Sequence, residues 1–193
     1  MKRYCVDNMV LGWGLKGVAS PGQEGMVARA RFLLDELDKK GAIIIVPAPV
    51  LTEFFHEVEP ADKPAALQAF EKRFVVAPFD AQAAAIADEL WLKVKEDPHL
   101  CPELEGPCVV GRIPKRVLKY DVQIVAIALA NKVDGLYSSD HHVQTIANGR
   151  VSVLDMPEVK EQGDLFKDVQ PPLRLVPRGP ASDTSDSPED DED

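Results

Sequence analysis

The alternation of short apolar runs with amphipathic segments most constrains how this chain can fold. The apolar runs predict strands at residues 3–7, 42–47, 74–79, 135–139 and 151–155. The amphipathic segments predict helices at about residues 23–40, 50–58, 63–73, 81–96, 119–131 and 141–148. Strands that alternate with helices form parallel sheets, because each helix returns the chain to the edge where the next strand begins. The sequence therefore predicts an α/β fold of three layers, with helices on both faces of a central parallel sheet.

Composition predicts one domain followed by two terminal segments. A chain of 193 residues with 45% hydrophobic content can bury a substantial core, and residues 1–156 are predicted as one domain. Residues 97–118 hold four prolines and two cysteines where a short loop is expected. They predict an insertion beside the site or a lid that binds a partner. Residues 157–170 are a predicted C-terminal extension, and the Pro-, Ser- and acid-rich residues 171–193 a disordered tail.

The negative charge of the chain is concentrated at its C-terminus. The formal charge is −10, but seven acids lie in the last eleven residues, and the remainder carries only −3. Within that remainder, Lys115, Arg116 and Lys119 form a basic group just before Asp121. Because binding to phosphate is driven largely by Lys and Arg, this group is a candidate contact for nucleic acid. A solvated helix face is an equally simple interpretation.

Several features of the sequence predict a cytoplasmic protein without a membrane anchor. No apolar run approaches the roughly 18 residues that a membrane span requires, and the first residues lack the apolar stretch of a signal peptide. The three cysteines cannot all pair within one chain, and Cys5 lies in an apolar run. Both observations favour a reducing compartment.

One acidic residue stands on the apolar face of a predicted helix. At 3.6 residues per turn, Asp121 lies on the same stripe as Ile124, Val125 and Ala128, at the head of the helix predicted at 119–131. A buried carboxylate is costly unless it is protonated, paired with a cation or bound to a metal. The sequence leaves these three alternatives open.

Three further acids are predicted at the same edge of the sheet as Asp121. Asp7 ends the first apolar run, Asp140 directly follows the fourth, and Glu53 lies in the helix after the second. In a parallel sheet, ligands bind at the carboxyl ends of the strands, where these residues stand. Four converging carboxylates ionise together only if cations lie among them, and oxygen ligands favour Mg²⁺ or Mn²⁺. Such ions activate water towards phosphorus, which predicts hydrolysis of a phosphodiester.

Each of these acids also has a simpler interpretation when it is taken singly. Asp7, Asp121 and Asp140 have the residue type that caps helices, and Glu53 has the length to pair with a surface lysine. Their order along an alternating βα pattern favours a metal site over four independent caps.

The sequence resembles the PIN-domain nucleases, a family that includes the VapC-type toxins of toxin–antitoxin pairs. The resemblance covers roughly residues 3–155 and rests on the segments YCVDNMVL, PVLTEFF, KYDVQIVAIALA and LYSSDHHV. It implies a metal-dependent endoribonuclease in which Asp7, Glu53, Asp121 and Asp140 bind Mg²⁺ or Mn²⁺ and carry out RNA cleavage.

The resemblance also implies supporting residues and partners. Ser138 matches a small hydroxyl residue that often stands two positions before the last aspartate, and Asn8 stands where the family usually has Thr or Ser. Both are expected to support the acids through hydrogen bonds. Lys115, Arg116 and Lys119 are candidates for RNA contacts. An antitoxin protein and a homodimer are further expectations, and the alternative is a catalytically inactive PIN-like module that binds RNA or protein.

Three other patterns indicate different chemistry more weakly. Gly12, Gly14 and Gly17 spell a dinucleotide-binding motif, but the next helix is predicted to begin only after residue 22 and no ribose-binding acid follows the second strand. These glycines are instead predicted to form a flexible loop. A phosphatase with a phosphorylated aspartate usually has a second acid where Met9 stands. A zinc site remains a weaker alternative, because its cysteine spacing is uncommon; its ligands would be His99, Cys101, Cys108, His141 and His142.

Overall fold

The computed structural model describes residues 1–56, 58–96 and 115–159, except for the side chains of residues 115 and 116. It contains five strands: β1 (Arg3–Val6), β2 (Ile43–Pro47), β3 (Val75–Ala77), β4 (Gly135–Tyr137) and β5 (Val153–Leu154). It contains seven α-helices: α1 (Asn8–Leu11), α2 (Glu24–Lys39), α3 (Ala48–His56), α4 (Lys63–Glu71), α5 (Ala81–Glu96), α6 (Lys115–Ala130) and α7 (His141–Ala147). Residues 97–114 of the predicted insertion, nearly all of the predicted extension and the whole predicted tail lie outside the described residues.

The strands form one parallel sheet in the order β3-β2-β1-β4-β5. Cys5 of β1 pairs with Ile45 on one side and with Leu136 on the other. From β1 the chain adds β2 and β3 in one direction, and β4 and β5 in the other. The order of the strands therefore reverses between β1 and β4, and a crevice opens beyond their carboxyl ends. The predicted parallel sheet is confirmed.

Helices cover both faces of the sheet, as β2 shows. Ile45 belongs to a small buried cluster with Ala83 of α5 and Ile127 of α6. Its neighbours Ile44 and Val46 point to the opposite face and belong to the main core cluster. A strand buried on both faces is a continuous apolar run rather than an alternating one, which explains the sequence IIIVP.

Helix α6 begins earlier than the sequence predicted. It starts at Lys115, so residues 115–118 of the predicted insertion belong to the helix. Asp121 is the seventh residue of α6 and does not head it. The reason is Leu118, which is 1% exposed and extends the buried stripe one turn towards the N-terminus. The predicted stripe is otherwise confirmed, because Ile124, Val125 and Ala128 are buried.

The glycine-rich segment after β1 is helical, and the prediction of a flexible loop was wrong. A π-helix, Gly12–Lys16, continues directly from α1, with Trp13 and Leu15 buried. A Cβ atom on Gly14 would lie 2.6 Å from Leu34 Cδ1, so glycine permits the π-helix to pack closely on α2. Gly17 ends the π-helix at a φ of 69°, a conformation that favours glycine.

Two of the predicted helix starts can be compared with the structure. Asp80 accepts a hydrogen bond from Ala83 N at 2.8 Å, and α5 spans residues 81–96 as predicted. Asp62 precedes α4 but its side chain makes no capping bond. Pro64 near the start of α4 favours a helix start there without such a bond.

An aromatic cluster fixes α3 against α4. Phe54 and Phe55 of α3 contact Phe70 of α4, with ring centroids 5.7 and 6.3 Å apart, and Phe70 contacts Phe74 at 4.5 Å. Aromatic contacts of this kind contribute about 0.5–1.5 kcal/mol each beyond the burial of their area. Burial of Phe54 holds α3 in a fixed rotation about its axis and thereby sets the position of its neighbour Glu53.

Candidate metal centre

Asp7 lies directly after β1, at the crevice between β1 and β4. Its backbone is extended, and its N–H donates to Tyr137 O at 3.2 Å. Its carboxylate accepts hydrogen bonds from Val10 N at 3.2 Å and from Ser138 Oγ, and the residue is 5% exposed. Burial raises the pKa of Asp7 to about 6, and the charge of Asp140 contributes to that rise. The hydrogen bonds act in the opposite direction, because they stabilise the ionised form.

Ser138 joins the ends of two strands that are adjacent in the sheet but distant in sequence. It follows β4, and its N–H donates to Leu154 O at 3.2 Å. Its hydroxyl donates to Asp7 Oδ2 and accepts from Asp140 N at 3.1 Å. One buried side chain therefore fixes the positions of two acids relative to each other.

Asp140 is the N-cap of α7, and two histidines follow it. Its Oδ1 accepts from His142 N at 2.7 Å, and His142 Nδ1 lies 3.1 Å from the same oxygen. Ligand atoms of Asp140, His141 and His142 all lie within 4.8 Å of one another. His141 is exposed, but the side chain of His142 is only 17% exposed. The contact between His142 and Asp140 was not predicted, although two histidines directly after a capping acid are a signal for it.

Asp121 is the acid of this group whose burial is least offset by hydrogen bonds. It is 7% exposed, and its Oδ2 has no hydrogen-bond partner within the described part of the chain. Burial raises the pKa of Asp121 to about 7. The negative charges of three neighbours raise it further, in the order Asp140, Glu53 and Asp7. The four predicted acids therefore lie close enough to repel one another, although they come from four different elements.

Glu53 is the most exposed of these four acids and approaches the crevice from α3. Partial burial raises its pKa. On the same helix, Val50 and Phe54 are buried. Since Phe54 faces the core, the neighbouring Glu53 side chain lies at the border of the helix face that meets solvent.

The donor set fits a hard divalent cation. The four carboxylates supply only oxygen ligands, which Mg²⁺ and Mn²⁺ prefer. The unpartnered Asp121 Oδ2 is a buried acceptor that a cation would satisfy. Burial and repulsion disfavour the ionised form of Asp121. A cation would reverse this effect by bringing positive charge into the crevice.

The basic residues precede Asp121 on the same helix. Lys119 is exposed, and Tyr120 and Val117 beside it are 43% and 38% exposed. The side chains of Lys115 and Arg116 lie outside the described residues, as do His99, Cys101 and Cys108 of the zinc alternative. The backbone of α6 places these basic residues at the N-terminal end of the helix that carries Asp121.

Replacing Ser138 with Ala is expected to raise the pKa of Asp7 above about 6, because the hydroxyl donates to the ionised carboxylate. The same change leaves Asp140 N without its acceptor and should cost about 1–3 kcal/mol of unfolding free energy. An NMR titration of the Asp7 carboxyl carbon measures the first effect. Ser139→Ala, at the exposed neighbouring position, is the matched control. An unchanged pKa of Asp7 in Ser138→Ala would contradict the proposed effect of the Ser138 hydroxyl on the Asp7 carboxylate.

Comparison with solved structures establishes the fold. One similar chain comes from the crystal structure of VapBC2 from Rickettsia felis bound to a DNA fragment from the promoter. It superposes with a TM-score of 0.55 and 16% sequence identity, and the match covers 79% of this chain and 98% of the other. A chain in the structure of DNA-bound VapBC from Salmonella typhimurium superposes with a TM-score of 0.52 and 15% sequence identity. That match covers 81% of this chain and 100% of the other. The protein therefore has the PIN-like α/β fold that the sequence predicted.

Other comparisons add no further assignment. No model of a protein family matches the chain, and no curated protein sequence matches it significantly. Within residues 1–56, 58–96 and 115–159, no helix has both the length and the apolar character that crossing a membrane requires.

Proposed function

We propose that this chain is a metal-dependent endoribonuclease of the PIN type, which hydrolyses phosphodiester bonds in RNA. The observation that carries the proposal is Asp121, a buried carboxylate with an unpartnered oxygen and three other carboxylates around it. Two of these neighbours, Asp7 and Asp140, follow β1 and β4, the strands between which the strand order reverses. Open α/β sheets bind ligands at such a position. A purely structural role would not explain why three other acids are gathered around a buried carboxylate oxygen that has no partner among the described residues.

The residues of the cluster have distinct proposed roles. Asp7, Asp121 and Asp140 would hold Mg²⁺ or Mn²⁺, and Glu53, the most exposed, would bind the ion or orient a water molecule. The ion would lower the pKa of bound water and neutralise charge on the phosphate. Ser138 would hold the Asp7 carboxylate in place and keep Asp140 at a fixed distance from it. Residues that orient metal ligands in this way typically contribute 10- to 100-fold to affinity or activity.

Proton release is expected to accompany metal binding. Asp7 and Asp121 have pKa values of about 6 and about 7 in the absence of an ion, so both are partly protonated near neutral pH. A carboxylate binds a cation in its ionised form. Metal affinity should therefore rise with pH through about 7 and become constant only about one pH unit higher, where both carboxyls are ionised.

The basic residues of α6 are proposed contacts for the substrate. Lys119 is exposed two residues before Asp121, and Lys115 lies one turn earlier on the helix. Cations at this end of α6 would attract the phosphates of an RNA strand towards the carboxylates. Arg116 is a third candidate.

A protein partner is part of the proposal. The two similar structures are VapBC assemblies bound to DNA. This likeness supports the expectation of an antitoxin that binds the present chain and blocks its crevice. A small open reading frame for a DNA-binding protein beside the gene, and co-purification of its product, would support that expectation.

Cleavage of a fluorescent single-stranded RNA by the full chain tests the proposed activity. Cleavage is expected with Mn²⁺ or Mg²⁺ and should stop in EDTA. Asp7→Asn should reduce the rate by more than about 100-fold, since it removes a ligand and not merely a residue that orients one. Asp88→Asn, an exposed aspartate on α5, is the matched control and should leave the rate unchanged.

Two results would contradict the proposal in different ways. Equal cleavage by Asp7→Asn, by wild type and in EDTA would show that the cluster does not carry the activity. Binding of Mn²⁺ without cleavage of any RNA would instead support the alternative of a catalytically inactive binding module.

A further inference from the structure

A second concave surface lies next to the acid cluster. It is an open cleft of about 310 Å³ between α1, the π-helix and the segment that leads into α2. The residues that matter for its chemistry are Asn8, Met9, Gly12, Lys16, Ser20 and Gln23. We call this surface the α1 cleft. Its volume lies at the lower end of the range of about 300–1,000 Å³ that is typical of small-ligand sites.

The α1 cleft and the acid cluster share the start of α1. Asn8, which lines the cleft, is the residue directly after Asp7. The carboxylate of Asp7 is fixed by the backbone N–H of Val10 in the same short helix. One end of α1 therefore holds a carboxylate of the cluster while its side forms a wall of the cleft. A strand with a phosphate at the carboxylates would have an adjacent nucleotide in the α1 cleft.

The chemistry of the α1 cleft differs from that of the acid cluster. None of the described residues that line it is acidic. Asn8 and Gln23 each offer an amide with a donor and an acceptor, and Ser20 adds a hydroxyl. Met9 and Val18 add apolar surface. Neutral hydrogen-bonding groups beside apolar surface are suited to the edge and face of a nucleobase, and single-stranded RNA is recognised mainly through such unstacked bases.

Lys16 supplies the only positive charge among the described residues of the α1 cleft. Its Nζ lies 4.6 Å from the ring centroid of Phe54, the neighbour of Glu53 on α3. The contact with Phe54 holds the cation on the side of the cleft that faces α3. A cation at this position would attract the phosphate of a nucleotide whose base enters the cleft.

We infer that the α1 cleft is a nucleobase subsite, which binds the base of the nucleotide next to the cleaved bond. Asn8 and Gln23 hydrogen-bond to the edge of the base, and Lys16 contacts its phosphate. The subsite gives the enzyme a preference among the four bases. This inference rests on the proposed ribonuclease function for its substrate class, but binding to the cleft is measurable without cleavage.

Gly12 provides a way to fill the α1 cleft without disturbing the core. Its backbone is helical, with φ −59° and ψ −51°, and a Cβ atom there would meet nothing within 4 Å. A larger side chain at this position therefore enters open space in the cleft. Gly25 of α2 also has nothing within 4 Å of its Cβ position but does not line the cleft. Gly12→Leu and Gly25→Leu are thus a test variant and its matched control.

Calorimetric titration of the full chain with AMP, GMP, CMP, UMP and ribose 5-phosphate, in the presence of Mg²⁺, tests the inference. Wild type and Gly25→Leu should bind at least one nucleotide about tenfold more tightly than ribose 5-phosphate, the scale of one base contact. Gly12→Leu should remove that difference. Gln23→Ala, whose side chain makes no capping bond to α2, should reduce the preference among the four nucleotides.

The outcomes separate this inference from the proposed function. Equal binding of nucleotides and ribose 5-phosphate by wild type, or unchanged nucleotide binding in Gly12→Leu, would overturn the subsite even if RNA cleavage depends on Asp7. Loss of nucleotide binding in both leucine variants would also overturn it. Selective loss in Gly12→Leu would support the subsite even if no RNA is cleaved.

Discussion

Replacing Asp121 with Asn is expected to abolish RNA cleavage and, at pH 8, to increase the thermal stability of the metal-free protein. Asn keeps the shape of the side chain but removes the charge that burial and three neighbouring acids disfavour. The loss of activity should exceed about 100-fold, since the change removes a proposed metal ligand. The gain in stability should be at least about 1 kcal/mol, which for a domain of this size raises Tm by roughly 2–4 °C.

The dependence on pH distinguishes this mechanism from better packing. The pKa of Asp121 is about 7, so at pH 5 the wild-type side chain is already protonated and Asn should bring little gain. Differential scanning calorimetry in EDTA at pH 5 and pH 8 measures both values, and Asp88→Asn is the control. A lower Tm for Asp121→Asn at pH 8, or full activity in this variant, would contradict the proposed role of Asp121.

The metal-free wild-type protein is expected to lose stability between about pH 4 and pH 7. The pKa values of Asp7 and Asp121 rise from 3.8 to about 6 and about 7 on folding. Between the unfolded and folded values, the folded state binds more protons than the unfolded state, so the free energy of unfolding falls as pH rises. The stability is fully present below about pH 4 and is lost as pH rises through the folded pKa values. The two groups interact, so the transition belongs to the pair.

Mn²⁺ should reverse this loss. An ion present at one hundred times its dissociation constant stabilises the folded state by about 2.7 kcal/mol. At pH 8 this corresponds to a rise in Tm of roughly 5–10 °C. The rise should be much smaller at pH 5, where protons compete with the ion for the carboxylates.

The double variant that carries both Asp7→Asn and Asp121→Asn is the control for the loss of stability with pH and for the stabilisation by Mn²⁺. Its Tm should vary less with pH in this range, and Mn²⁺ should change it little. If the wild-type Tm in EDTA is constant from pH 4 to pH 8, or if Mn²⁺ stabilises both proteins equally, the cluster is not the site where the ion binds.

The proposed metal site would be built at a cost to stability. Repulsion among the four carboxylates opposes folding in the absence of an ion, and the same repulsion would favour the binding of a cation. Packing and hydrogen bonds around the cluster offset this cost to stability. Val6, Val10 and Leu136 beside the cluster are fully buried, and Ser138 joins the ends of β1 and β4.

Local signals in the sequence were sufficient for some elements and misleading for others. Helix α5 has the predicted bounds, because Asp80 caps its start and apolar residues repeat along one face. The start of α6 was placed too late because the basic residues from Lys115 onward obscured the continuing stripe at Leu118. The π-helix at Gly12–Lys16 was missed because glycines are typical of loops, whereas here Gly14 permits contact with Leu34.

The sequence by itself determined the α/β class and the chemical type of the candidate site. Apolar periodicity is a local property, and the acids are visible at the ends of predicted elements. Only the tertiary structure decided which acids meet. The order β3-β2-β1-β4-β5 places β1 beside β4, so that Ser138 reaches Asp7 across 131 positions of sequence. Burial, which raises the pKa of Asp7 and Asp121, is likewise decided by the packing of all elements together, because desolvation depends on every neighbour and not on local sequence.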